Sequence, residues 1–124
     1  LFLDDLDGSP QGTIGKDSKV TTSWNHWVVF NIPKVSSISA SWVPSYATRG
    51  INDEGYNDYE PPCPPGRPIS EKHQYKFTLY ALDTEFDGKE SLACGLQCKR
   101  ADLVTAMEGS IIEKTTLSGT YGTN

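Results

Sequence analysis

Trp27-Val28-Val29-Phe30-Asn31-Ile32, a nearly continuous apolar run stopped by Pro33, constrains the fold of this chain more than any other stretch. It is too short for a buried helix and lacks the alternation of a half-exposed strand, so it reads as a central strand buried on both faces. Proline at 33 ends it by removing a ladder donor. A strand of that kind requires sheet neighbours on its edges and packed chain above and below.

A second strand follows from Tyr75-Lys76-Phe77-Thr78-Leu79-Tyr80-Ala81-Leu82. Here Tyr75, Phe77, Leu79 and Ala81 fall on one side, and Thr78 and Tyr80 on the other. Asp83 to Gly88 reads as a turn. Leu103 and Met107 recur at helical spacing between Lys99 and about Glu108, with Ala101, Val104 and Ile111 widening the stripe, which predicts a short helix broken at Gly109. Leu117 to Tyr121 predicts a closing strand. From Lys34 to Gly66 no period is sustained, and irregular chain of that length is either disordered or functional. Its aromatic residues Trp42, Tyr46, Tyr56 and Tyr59 argue for order.

Composition narrows the class. A chain of 124 residues fits one domain, 1–124, and its eight prolines and eleven glycines favour a loop-rich β protein. Net charge is −5 and no Lys/Arg cluster offers a track for a phosphodiester backbone, which argues against nucleic acid as partner. No apolar stretch approaches the roughly 20 residues that span a bilayer, and no secretion signal is visible, so the chain reads as soluble. It opens without Met at Leu1-Phe2-Leu3, in what reads as the last half of a strand, and we expect a fragment, a processed chain or the ordered part of something longer. The three cysteines are an odd count at irregular spacing. Cys94 and Cys98 could be helical neighbours or form a small loop bridge; structural thiols are expected over metal ligands, and cysteine usage favours the cytoplasm.

The chemistry-bearing residues sit in islands. The chain has two histidines, one in Trp24-Asn25-His26-Trp27 and one in His73-Gln74-Tyr75. Carboxylates alternate in Asp4-Asp5-Leu6-Asp7, where Asp5 and Asp7 project from one side if the strand continues. Paired imidazolium donors could hold a phosphate or carboxylate oxygen while the Asp groups orient the rings. The same four side chains, Asp5, Asp7, His26 and His73, could instead bind a divalent metal through two N and two O atoms. Against both stands the general tendency of a lone histidine beside tryptophans to be a packed core residue, and of an acidic run to be a solvated turn. The Pro61-Pro62-Cys63-Pro64-Pro65-Gly66 stretch cannot be a central strand; it is stiff and could wall a pocket. No nucleophile elbow, zinc-protease motif, P-loop or dinucleotide fingerprint occurs, so no enzyme activity and no cofactor are expected.

Taken in order, the islands resemble the phosphatidylethanolamine-binding protein family, in its prokaryotic Raf-kinase-inhibitor-like branch, along nearly the whole chain. Asp5-Leu6-Asp7-Gly8-Ser9 stands where the family has Asp-Pro-Asp-x-Pro, and Trp24 to Pro33 resembles its His-Trp-Val-Val-x-Asn-Ile-Pro segment. Arg49-Gly50-Ile51-Asn52-Asp53 resembles Gly-x-Asn-Asp, and Tyr59 to Gly66 resembles Tyr-x-Gly-Pro-x-Pro-Pro. His73-Gln74-Tyr75 with Leu79 to Asp83, then Met107-Glu108-Gly109 and Leu117 to Tyr121, complete the pattern.

The resemblance implies a mainly β fold, an antiparallel β-sandwich with one or two short peripheral helices, here lacking the family's leading N-terminal strands. It further implies a small anion-binding cavity with Asp5, Asp7, Trp24, His26, Tyr59, Pro62, Cys63, His73, Tyr75 and Tyr121 as ligand-binding candidates. Pro61 replaces a glycine, Glu60 adds a carboxylate, Gln74 replaces an arginine and Ser110 stands where relatives often have His, all of which weaken positive potential at the cavity. The expected function is a non-enzymatic module binding phosphate, phosphoethanolamine or acetate, regulating a protein kinase or serine protease, alone or as a homodimer. The Lys34 to Gly66 region could present an inhibitory loop. The alternative is a metal-dependent hydrolase built on the Asp/His cluster. A headgroup fits such a pocket better than acyl chains, for which no apolar groove is legible.

Overall fold

A computed structural model describes residues 1–7, 23–62, 72–86 and 94–122. Among these residues five strands form one antiparallel sheet: β1 (Phe2–Asp5), β2 (Trp24–Phe30), β3 (Thr48–Arg49), β4 (His73–Leu82) and β5 (Ile111–Tyr121), in the order β3-β2-β1-β4-β5. One helix, α1 (Arg100–Met107), precedes β5.

The apolar run lies in β2 as an interior strand, and six of its seven residues are buried. The cover that such a strand demands is present on both sides. Phe2, Val28 and Phe30 pack with Phe86, Cys98, Leu103 and Met107 on the helix side. Leu3, Trp27, Val29 and Tyr75 pack with Trp42, Ala47 and Phe77 on the other. The second sheet of a sandwich is not among the described residues. The cover opposite α1 comes from chain whose only strand among the described residues is the two-residue β3, as the proline-, serine- and asparagine-rich composition of the 33–62 stretch allows. That stretch is ordered chain, as its aromatics suggested.

β4 begins two residues before the alternating pattern, at His73. Its Tyr75 is buried on one side and Thr78 on the other, while Ala81 is exposed beside a register shift at Ala81/Leu82. Of the helical stripe, Leu103 and Met107 are buried, but Val104 and Ile111 are exposed. Ile111 belongs to β5, because Gly109 takes φ +78° and turns the chain out of the helix. The Asp102 carboxylate accepts a hydrogen bond from the Lys99 backbone N–H at 2.8 Å and fixes the helix start. β5 runs six residues longer at its start than the Leu117–Tyr121 pattern indicated, and all eleven residues are exposed. Exposure removes the alternation by which a strand is read.

Cys94 and Cys98 are joined by a disulfide across a 3-10 turn, Gly95–Gln97, which resolves the two readings of this pair in favour of the loop bridge.

Candidate functional site

Strand alternation sorts the first acidic residues onto opposite faces. Asp4 points to the helix side, where the Arg100 Nε–H donates to both its oxygens at 3.1 Å and the Asn25 Nδ2 donates to Oδ1 at 2.9 Å. Asp5 points the other way, and the His73 Nδ1–H donates to its Oδ2 at 2.6 Å. Both carboxylates are 4% exposed. Asp4 and Asp5 are therefore no solvated turn, and each has its own cationic or imidazole partner, as burial requires, whereas Leu6 and the exposed Asp7 do form a turn.

A bulge brings the second histidine to the same face. Leu3 pairs with Trp27 and Asp4 with Asn25, so His26 is the extra residue of β2. Asn25 is thereby turned to Asp4, while Trp27 joins the Leu3 cluster and His26 meets the Tyr75 ring edge-on at 5.3 Å. Without the extra residue, His26 and Trp27 would lie on opposite faces; bulges recur where a side chain must be re-aimed.

The ring nitrogens are assigned by their partners. His26 Nδ1 lies 2.9 Å from the Glu60 carbonyl oxygen, which can only accept, so Nδ1 carries the proton. His73 Nδ1 likewise donates to Asp5. Each ring keeps Nε2 without a hydrogen-bond partner among the described residues. Such an Nε2 accepts when the ring is neutral and donates to an anion when it is charged.

Beside these rings lies a cavity of about 270 Å³ lined by Leu3, Tyr59, Pro62, Tyr75, Phe77 and Tyr121, among others. Space opens there because Gly119 stands opposite Tyr75 in β5, and a Cβ at that glycine would meet nothing within 4 Å. Tyr121 pairs with His73 across the same two strands. Tyr59 is held by the Trp27 ring at 5.5 Å, and burial pushes its phenol pKa up.

The candidates thus fall into three groups. Tyr59, Pro62, Tyr75 and Tyr121 line the cavity; Asp5, His73 and His26 back it through Tyr75 and its strand. Trp24 and Asp7 act at the margin: Trp24 adjoins the Glu60 side chain and opposes the rise of its pKa, and Asp7 Oδ2 accepts from the Gln74 backbone N–H at 2.8 Å. Cys63 lies outside the described residues. The four-residue metal set is not assembled, and among the described residues no three His, Cys, Asp or Glu side chains are placed to hold a metal ion.

Glu60 has a double role. Its carbonyl fixes the His26 ring, while its side-chain Oε2 sits 4.0 Å from the same Nδ1, buried and without a hydrogen bond. Burial raises the Glu60 pKa, Glu54 and Asp53 add to the rise, and His26 and Trp24 oppose it.

Three supporting residues were not among the sequence candidates. Asn25 and Arg100 back Asp4. Asn52, 2% exposed, donates through Nδ2 to the His26 and Asp58 carbonyls and accepts at Oδ1 from the Glu54 and Tyr56 N–H groups. Asn52 lies in a stretch that the family resemblance singled out, but a lone Asn gives no sign of four bonds. Arg100 gives none of its reach back to β1.

A larger apolar hollow of about 660 Å³ lies on the helix side between Phe2, Phe30, Tyr80, Phe86 and Met107. It is a groove where the sequence showed none, because its walls come from five separate elements and the loops between them.

Comparison with known proteins gives a consistent picture. The family model described as phosphatidylethanolamine-binding protein matches residues 1–122. A UPF0098 protein of Chlamydia trachomatis is 38% identical over 98 residues, covering 79% of this chain and 59% of that protein. One from Methanothermobacter thermautotrophicus is 38% identical over 104 residues, covering 79% and 62%. A crystal structure of a phosphatidylethanolamine-binding protein homolog from Chlamydia trachomatis superposes with a TM-score of 0.74 at 31% identity, over 99% of this chain and 70% of that one. YbcL of Escherichia coli shares the fold, with a TM-score of 0.69 at 23% identity over the same shares. The chain spans about three fifths of the length of the curated relatives it matches. No described helix is long and apolar enough to cross a membrane.

Proposed function

Because the chain belongs to the phosphatidylethanolamine-binding protein family, we propose that it is a non-enzymatic binding module whose ligand is a small oxyanion, a phosphate or carboxylate headgroup. The observation that carries this reading is the buried 2.6 Å Asp5–His73 hydrogen bond, with His26 set on the same sheet face by the bulge. Both rings are anchored through Nδ1, which leaves each Nε2 for a ligand that reaches past Tyr75, since the rings stand behind the cavity wall and do not line it. An anion accepts from Nε2 when that ring is charged, while Asp5 holds the His73 ring in place through Nδ1.

The pocket's size sets the ligand class. A hollow of about 270 Å³ with three tyrosines in its wall admits a headgroup and not acyl chains. No described Lys or Arg lines it, so affinity for a doubly charged phosphate is modest and a singly charged oxyanion is favoured. Regulation of a kinase or serine protease is the downstream role this reading assigns, through the ordered 34–62 surface. The Cys94–Cys98 bond favours an oxidising compartment over the cytoplasm that cysteine usage suggested.

The test is an NMR titration of the two histidine ring signals with inorganic phosphate, phosphoethanolamine and acetate. Saturable shifts of both rings are expected; their absence with all three ligands overturns the reading.

A further inference from the structure

We propose that the Cys94–Cys98 disulfide is a redox latch that sets the order of the loop holding His26, and through it the affinity of the anion site; the second clause rests on the function proposed above. The latch is read from connectivity. The disulfide closes a turn of four residues' separation, and that turn's carbonyls are the acceptors for the loop following β3. Ile51 N–H donates to the Cys98 carbonyl at 2.7 Å, and the Asn57 side chain donates to the Leu96 carbonyl. Ile51 also forms a parallel bridge with Lys99. The next residue, Asn52, ties the same loop to the His26 carbonyl, and Glu60 N–H donates to that carbonyl at 3.1 Å. One web of hydrogen bonds thus runs from the disulfide to the backbone of His26 and to the residue whose carbonyl fixes its ring.

Besides the disulfide, the turn is held by two backbone hydrogen bonds, Gln97 N–H to the Cys94 carbonyl at 2.8 Å and Cys98 N–H to the Gly95 carbonyl at 3.2 Å. It is a 3-10 segment of three residues without a side-chain cap, and Leu96 and Gln97 are exposed. Short 3-10 segments have poor hydrogen-bond geometry. Cys98 is fully buried in the helix-side core, whereas Cys94 is half-buried, so an outside thiol reaches the Cys94 sulfur first.

The step balances with a dithiol reductant. Its thiolate attacks Cys94 Sγ, the S–S bond breaks, and Cys98 leaves as a thiolate that takes a proton. The reductant's second thiol resolves the mixed disulfide and frees Cys94 as a thiol. Two electrons and two protons pass to the protein, and the reductant becomes a cyclic disulfide. Cys98 then stays in the core as a small apolar thiol, so the fold persists while the turn opens locally.

The experiment compares the oxidised protein, the protein reduced with dithiothreitol, and a Cys94→Ser variant, following amide exchange, the His26 ring signals and the dissociation constant for inorganic phosphate. Reduction is expected to speed exchange at Ile51 and Tyr56 about tenfold, to shift the His26 ring signals, and to weaken phosphate binding about fivefold or more. Cys94→Ser should match the reduced wild type and ignore dithiothreitol. Unchanged exchange and ring signals on reduction, or a Cys94→Ser variant that still responds to dithiothreitol, overturn the latch. Phosphate affinity equal in both redox states overturns the coupling. If phosphate binds neither state, the binding reading fails by itself, and exchange with the ring signals still decides the latch.

Discussion

His73 Nδ1 and Asp5 Oδ2 lie 2.6 Å apart although 68 residues separate them in the chain, and both side chains are buried. The pair joins β4 to β1 at the end of the sheet that carries the candidate site. Removing Asp5 leaves the buried imidazole N–H without its acceptor. Asp5→Ala should lose about 3 kcal/mol of stability and abolish the His73 ring response to phosphate. Asp5→Asn, which keeps an acceptor, should recover most of the stability but not the binding. Urea unfolding and ring-signal titration separate the two effects.

Asp4 tests the helix side independently. Arg100 Nε donates to both Asp4 oxygens, and its guanidinium lies 4.8 Å from the Phe2 ring centroid. Arg100→Ala leaves a buried carboxylate with Asn25 as its side-chain donor, and we expect a loss of about 2 kcal/mol after allowance for the half-exposed arginine. Arg100→Lys should not restore it, since an ammonium lacks the planar Nε–H that reaches between the two oxygens. Both variants should leave the His26 ring signals in place.

How far a residue could be read from sequence depended on whether its neighbours share its periodicity. β2 was legible because cover on both faces makes it apolar throughout, and β4 because its faces differ. β5 was half hidden because every residue in it is exposed. Asp5 and His73 were legible as candidates through the family resemblance, while their contact is a product of sheet register, which a single chain does not display. The bulge at His26 escaped for the same reason: it is defined by pairing, two residues of β2 against one of β1. Arg100 shows why supporting residues are missed. It looks like any helix-start arginine, and only the packing of α1 across the sheet gives it Asp4.

Glu60 should make stability depend on pH in a predictable sense. Its pKa is raised in the fold, chiefly by burial, so the native state holds its proton more tightly than the unfolded chain does. The stabilising contribution is complete below the ordinary carboxylate value of 4.5 and is lost as pH rises through the raised value. Glu60→Gln should therefore melt above wild type at pH 7 and equal to it at pH 4. Because the lost charge sits beside His26, the variant should also bind phosphate more tightly at pH 7. A melting difference that is the same at both pH values would contradict the assignment.

Gly50 meets the latch from the other side. A Cβ there would lie 2.4 Å from the Cys98 carbonyl oxygen and 2.8 Å from Val28 Cγ1, and its N–H donates to the Val28 carbonyl at 2.9 Å. The first of these contacts is backbone in a disulfide-closed turn and has no room to retreat, while the second belongs to a fully buried strand residue. Gly50→Ala should cost about 2 kcal/mol through overpacking. It should also weaken the Ile51 to Cys98 bond, so amide exchange at Ile51 should rise in the oxidised protein. Because Gly50 sits between β2 and the turn, part of the damage disappears when the turn can move. Reduction with dithiothreitol should then destabilise Gly50→Ala less than wild type in urea unfolding. Equal losses in the two proteins would show that the glycine is required by Val28 alone.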